Sequence, residues 1–288
     1  MFELLFDPLF HLPFVTGLLL APVAAVIGVY LRLRDEWLAA LAYAQVAAAG
    51  GVLAVLIHAP VMLGALVAAG LAATLKGLLE RAGNDHFVIF ILVGWSLALV
   101  ASAFSAHGEM IGKSLMDGQL YFTGIGHLWA AGLILGVAVL AMPWLSRRLL
   151  MSRFFPDHYS ANDIPGWRHH LFFDLLVVAA VAVATTTYGV MAAFALVFVP
   201  AWIAWGLARG WFLVLLLTAT IAIVAYLIAF VAAIALDQPF GPVMVLTLTL
   251  LSLLRLVSSR RAPAARTLDQ RLTRSPLTAP ADGYPETP

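Results

Sequence analysis

Scarce charges and turn residues divide this chain into apolar runs of about 20 residues, and that one feature decides what it can become. A hydrocarbon core roughly 30 Å thick is crossed by about 20 helical residues rising 1.5 Å each. Lipid offers the backbone no hydrogen-bond partners, so each crossing segment must satisfy its own peptide groups, as a helix does. A barrel strand would be about 10 residues long with alternating sides, and the runs here are continuous. The 288 residues are 63% hydrophobic and 11% charged, with a mean hydropathy of +0.98, whereas ordinary globular chains are about 45–50% apolar and about 25% charged. These values exclude a water-soluble enzyme. The absence of cysteine excludes a disulfide-stapled secreted domain, and a net charge of +1 gives no general attraction to nucleic acid.

The expected fold is therefore an all-α polytopic transmembrane bundle of nine spans: Pro13 to Leu31, Leu38 to Ile57, Val61 to Leu79, Phe87 to Ala106, His127 to Leu145, Leu171 to Tyr188, Gly189 to Leu207, Trp211 to Leu236 and Gly241 to Val257. Basic residues accumulate in cytoplasmic loops. With the N-terminus outside and the C-terminus inside, 15 of the 16 lysines and arginines fall on the inner side and only Lys113 outside. The start, MFELLFDPLFHLP, carries Glu3 and Asp7 and has no basic segment, so no cleavable leader is expected there. Residues 1–257 form one transmembrane domain. Residues 258–288, proline-bearing and poor in apolar side chains, are expected to be a disordered cytoplasmic tail.

Ionisable groups inside spans are costly and mark function. Asp174 is the single acid within the nine ranges, and it reads as a complement to the positive N-terminal end of its helix. With no buried acidic pair or Lys–Asp partnership in view, a proton- or sodium-coupled carrier is disfavoured. The eight histidines are scattered, without H-E-x-x-H, so a membrane metalloprotease is disfavoured as well. The compact set of potential metal ligands is His107, Glu109 and Met110, with Asp117 along the same outer segment; the alternative is a solvated loop. The inner connection from Ser146 to His170 mixes charges with Phe154, Phe155, Tyr159 and Trp167, which suits either a cytoplasmic partner's groove or interfacial anchoring. Pro200 lies inside the seventh span, where its ring removes a helix hydrogen bond and kinks or breaks the segment, and Thr185, Thr186 and Thr187 stand ready to satisfy freed groups. Asp237-Gln238-Pro239-Phe240-Gly241-Pro242 reads as a tight turn.

Four stretches resemble the membrane permeases of ABC importers for zinc, manganese and iron(II), the ABC-3 family, over roughly Phe14 to Leu256. They are the first span with Arg32-Leu33-Arg34; Gly118-Gln119-Leu120-Tyr121-Phe122-Thr123 followed by His127-Leu128; Tyr188-Gly189-Val190 through Pro200-Ala201, similar to V-G-x-L-L…I-P-A; and Asp237 to Pro242, similar to D-x-P-x-G-P. The resemblance implies a permease dimer in the inner membrane, two cytoplasmic ATPase subunits and an extracytoplasmic metal-binding protein. It implies no catalytic residue and no cofactor in this chain, and no Walker G-x-x-x-x-G-K-[ST] occurs. It also places an ATPase-coupling loop at 146–170, with Phe155, Asp157, Tyr159 and Gly166 as its echo of F-D-P-E-F-A-x-x-L-G.

One departure concerns cargo. Where the family carries D-A-L-x-H-A on its second helix, this chain reads Ala39-Ala40-Leu41-Ala42-Tyr43-Ala44, and neither Ala39 nor Tyr43 is a good ligand for a divalent ion. Tyr43, Gln45 and Pro200 are the pore-facing candidates. Two other readings stay open: the same fold carrying a metal chelate or another small solute, and a scaffold subunit that no longer transports.

Overall fold

A computed structural model of the protein describes residues 8–78, 83–118, 120–155 and 167–259. These residues form ten α-helices and one 3-10 turn, with no strand among them. In chain order the helices are α1 (Pro8–Leu33), α2 (Ala39–Leu56), α3 (Val61–Leu78), α4 (Asn84–Ser102), α5 (Ala106–Asp117), α6 (Ile125–Phe154), α7 (Trp167–Tyr188), α8 (Val190–Leu207), α9 (Trp211–Leu236) and α10 (Phe240–Ser259). Eight of them, α1–α4 and α6–α9, are long and apolar enough to cross a membrane. The ninth expected span corresponds to α10, whose apolar stretch Phe240–Leu253 is shorter than those eight.

Small residues set the packing. Helix α2 is rich in Ala and Gly, which lets neighbouring backbones approach closely without an apolar side chain between them. A Cβ on Gly50 would overlap the Gly64 carbonyl of α3, and one on Gly94 of α4 would meet the Gln45 backbone at 2.7 Å. Helix α2 is thus held between α3 and α4, and of its residues only Leu53 is exposed. Gly28 of α1 lies against the Val197 carbonyl of α8 in the same way. By contrast α3, α4 and α6 keep broad apolar outer faces, with Val67, Leu92, Trp129 and Leu140 exposed, as contact with lipid or another subunit requires.

At one end of the bundle three chain corners meet through backbone alone. Gly118 ends α5 at φ 75° and Gly189 joins α7 to α8 at φ 86°, conformations that L side chains rarely adopt. A Cβ on Gly118 would overlap the Tyr188 carbonyl, one on Gly189 would sit 2.7 Å from the Gly118 Cα, and one on Gly241 would overlap the Asp117 carbonyl. Three of the stretches that carry the family resemblance are thereby joined at one point. Tyr188 also donates to the Gly17 carbonyl at 2.5 Å, and the Tyr226 hydroxyl donates to that of Phe14 at 3.0 Å, tying this end to α1.

Several expectations are corrected. Helix α6 continues from Leu145 to Phe154, so the first part of the 146–170 connection is helix, and α7 begins at Trp167 rather than Leu171. The segment 106–117 is a helix, started by the Ser105 hydroxyl accepting from the Gly108 N–H at 2.9 Å. Helix α8 runs unbroken through Pro200. Thr186 and Thr187 bond the Val183 carbonyl of their own helix and do not reach α8. The turn at 237–242 is tight as expected, with Asp237 left-handed at φ 51° and Gln238 N–H donating to Ala233 O at 3.0 Å. The tail from residue 260 lies outside the described residues.

Gly189→Ala should lower stability by about 1–3 kcal/mol from backbone strain alone, before its clash with Gly118. Gly136→Ala on α6, with nothing near its added Cβ, should leave stability unchanged or slightly raised. Thermal unfolding in detergent, followed by loss of the monodisperse chromatographic peak, compares the two.

Candidate functional site

The end of the bundle opposite the glycine junction holds four charged side chains in a closed ring. The chain leaves α1 at Leu33 and turns through Asp35, left-handed at φ 60°. The Asn84 amide at the start of α4 braces that turn, donating to Asp35 O at 2.9 Å and accepting from Leu38 N–H at 3.4 Å. Arg34 then reaches Asp174 of α7 through Nη1 at 2.9 Å and Glu36 through Nη2 at 3.1 Å. Lys76, in the last turn of α3, closes the ring with Nζ 2.8 Å from Glu36 and 2.9 Å from Asp174. Each carboxylate meets two cations and each cation two carboxylates, so the charges sum to zero. All four side chains are nearly buried, at 7–14% exposure.

Taking four charges out of water costs several kcal/mol each, which only full mutual satisfaction offsets. The aromatic side chains help, with the Arg34 guanidinium 5.2 Å over Phe173 and the Lys76 ammonium 5.7 Å over Phe87. Burial alone would lower the Arg34 pKa, but Asp174 and then Glu36 more than offset it and hold the guanidinium above its ordinary value. Asp174 is thus no helix-end complement: it is the eighth residue of α7, and its partners are Arg34 and Lys76. The reading that no Lys–Asp partnership exists is overturned with it. Its partners stand 140 and 98 positions away, on span edges where basic residues read equally well as anchors.

Tyr43 sits inside the chain beside this ring, 1% exposed, its ring 6.0 Å from that of Phe87. Its hydroxyl and the Gln45 carbonyl oxygen, also buried, have no hydrogen-bond partner among the described residues. Ala39 is fully buried and Pro200 is buried within α8. Phe155 closes the C-terminus of α6 and is 62% exposed, while Asp157, Tyr159 and Gly166 lie outside the described residues.

At the other end, His107, Glu109 and Asp117 are all exposed on α5. Ten helical residues separate His107 from Asp117 by about 15 Å along the axis, and residues two apart face different directions. The structure does not bring the three together, and among the described residues no group of three or more His, Asp or Glu could hold a metal ion. Helix α5 instead stands between two cavities. One of about 540 Å³, toward α2 and α4, is lined by Glu109, Lys113, Met116 and Ser102. The other, about 400 Å³, is lined by Met110, Ser114, His127 and Thr186. His127 and Thr186 in that second lining were not candidates from sequence; each sits at a span end, where only the tertiary arrangement reveals a shared wall.

The family model described as the ABC 3 transport family matches residues 7–259. The chain belongs to that family. It is a divergent membrane permease of the ABC-3 type, and the match takes in every described helix from α1 to α10. A solved structure, PsaBC from Streptococcus pneumoniae in complex with Fab, is similar with a TM-score of 0.77 and 18% identity, covering 94% of this chain and 100% of the matched one. At that identity the likeness speaks to the fold. No curated protein sequence is a significant match.

Removing one partner of a buried ion pair strands the other charges. Asp174→Ala should cost the ABC-3 permease about 3–5 kcal/mol, whereas Glu109→Ala on the exposed face of α5 should stay within about 0.5 kcal/mol. The melting midpoints of the two purified variants in the same detergent test this.

Proposed function

We propose that the protein is the membrane permease subunit of an ABC importer for divalent metal ions of the zinc and manganese class, seated in the inner membrane. The observation that carries this reading is the family match over residues 7–259. Two copies form the transport unit, cytoplasmic ATPase subunits supply the energy, and an extracytoplasmic binding protein delivers cargo to the end that holds α5. The N-terminus is outside, which puts the Arg34–Glu36–Lys76–Asp174 ring at the inner end.

In this reading Asp174 is the relay. Helix α7 begins at Trp167, directly after the coupling segment that carries Phe155, Asp157, Tyr159 and Gly166, and about two turns later Asp174 grips α3 and the α1–α2 turn. A push on that segment by the ATPase shifts α7, and the ring passes the shift to α1 and α3 as one movement. Tyr43 and Gln45, with buried unpartnered oxygens on α2, are the polar groups that a path opening along α2 uncovers, and Pro200 supplies the weak point of α8 beside it. Delivered cargo enters past Glu109 or His127, in the cavities flanking α5.

A second reading, the same permease acting on a metal chelate or another small solute, is favoured by one observation. The positions of the family's Asp and His are Ala39 and Tyr43, and the described residues hold no three-ligand cluster. A bare ion needs such ligands; a chelate brings its own.

Deleting the gene should abolish zinc or manganese uptake under metal starvation, and an ATPase should co-purify with the tagged chain; unchanged uptake or no ATPase overturns the importer reading. Binding of free ion against chelate by the partner binding protein separates the two cargoes. Orientation is checked with single cysteines in this cysteine-free chain. Lys113→Cys should react with an impermeant maleimide on intact spheroplasts, and Arg209→Cys only in inverted vesicles.

A further inference from the structure

Near the ring, on the same end of the bundle, lies a feature that the transport reading does not use. The last turns of α8 present Phe198, Trp202 and Trp205, and Trp37 approaches from the α1–α2 turn with its ring 5.6 Å from Phe198. Together with Arg32 and Asp35 they line a cavity of about 360 Å³. Two guanidinium groups lie on its tryptophans, Arg32 at 5.8 Å from the Trp205 ring and Arg255 of α10 at 3.8 Å from the Trp202 ring. Arg255 also donates through Nη1 to the Trp202 carbonyl. Gly206 makes that possible, since a Cβ there would collide with the Arg255 Nε.

Among the described residues neither arginine has a carboxylate partner. The ion pairs of the described residues engage Glu36 and Asp174 with Arg34 and Lys76, and none includes Arg32, Arg255 or Asp35. Arg32 and Asp35 line the cavity itself, and Arg255, lying on its Trp202 wall, adds a second cation beside it, so the charge around the cavity is net positive. A cation–π contact with a tryptophan ring steadies each guanidinium, and the donors not spent on the Trp202 carbonyl suit a phosphate. Three tryptophans at one level are what the membrane–water interface favours, and basic pockets between helix ends on the cytoplasmic side suit anionic headgroups.

We propose that Arg32 and Arg255, lying on Trp205 and Trp202, bind the phosphate headgroup of an anionic phospholipid of the inner leaflet, whose glycerol end rests against Trp37 and Phe198. The proposal rests on the orientation given above. Bound there, the lipid bridges the inner ends of α1, α8 and α10.

The test uses the purified full-length chain in detergent, titrated with dioleoyl phosphatidylglycerol, with the phosphatidylcholine of the same chains, and with inorganic phosphate, and read by native mass spectrometry. Phosphatidylglycerol should be retained in preference, with each arginine contributing about fivefold. Arg32→Gln/Arg255→Gln should abolish the preference and Arg153→Gln should keep it. Arg32→Gln alone, which removes no hydrogen bond of the fold, should lose about fivefold and keeps the test decisive if the double variant misfolds. Equal retention of the two lipids, or a preference unmoved by Arg32→Gln, overturns the proposal, as does displacement by inorganic phosphate, which marks a free-anion site. A photo-crosslinker replacing Trp202 in native membranes should capture lipid; capture of an ATPase subunit or of a second copy overturns it in favour of a protein interface. If Arg209→Cys reacts from outside while the lipid preference holds, the orientation fails and the headgroup site stands in the other leaflet.

Discussion

The closed ring of Arg34, Glu36, Lys76 and Asp174 is the interaction on which one end of the fold depends. The α1–α2 turn and the helices α3 and α7, far apart in sequence, converge there, and each contributes charge that no apolar packing would tolerate alone. A ring differs from two separate pairs because every member has two partners. Losing any one leaves a net charge of one sign in a space built for none. That makes the ring less a source of stability than a specification, since burying it costs about as much as its attractions return. What it provides is register: α1, α3 and α7 can meet in one arrangement only.

Between the ring and the glycine junction the bundle is held by contacts that have no strength of their own and depend on closeness. Helix α2 packs against α3 and α4 through Gly50, Gly64 and Gly94, and dispersion forces accumulate only when backbones approach this nearly. The two ends are thus joined by different physics, charge below and backbone contact above. A displacement that leaves one intact need not disturb the other.

Much of this was legible in the residues. Nine apolar segments were evident, and helices occupy all nine, because lipid-like burial imposes one backbone solution on any run of that length and polarity. The segments at 118–123, 188–201 and 237–242 stood out for their likeness to family motifs, and the structure gives them a common place: Gly118, Gly189 and Gly241 meet where no side chain fits. The partnership of Asp174 was not legible. Arg34 and Lys76 sit where an anchoring arginine or lysine also sits, and nothing in local spacing distinguishes a cation facing water from one facing a carboxylate on another helix. The segment 106–117 misled in the opposite direction. His107, Glu109 and Asp117 look compact when written as a string, but a helix spreads them along its length and around its surface. The extension of α6 to Phe154 was hidden because Arg147, Arg148 and Arg153 resemble a loop in composition while remaining good helix formers.

The glycine junction has a mechanical consequence. Contacts made by carbonyl oxygens and α-carbons cannot be loosened by a rotamer change, so the corners at Gly118, Gly189 and Gly241 have no slack to give. The ends of α5, α7, α8 and α10 that meet there must travel together. A rotation of these helices against α2 and α4 therefore pivots at the junction, and the far ends of the long helices are the arms that move most.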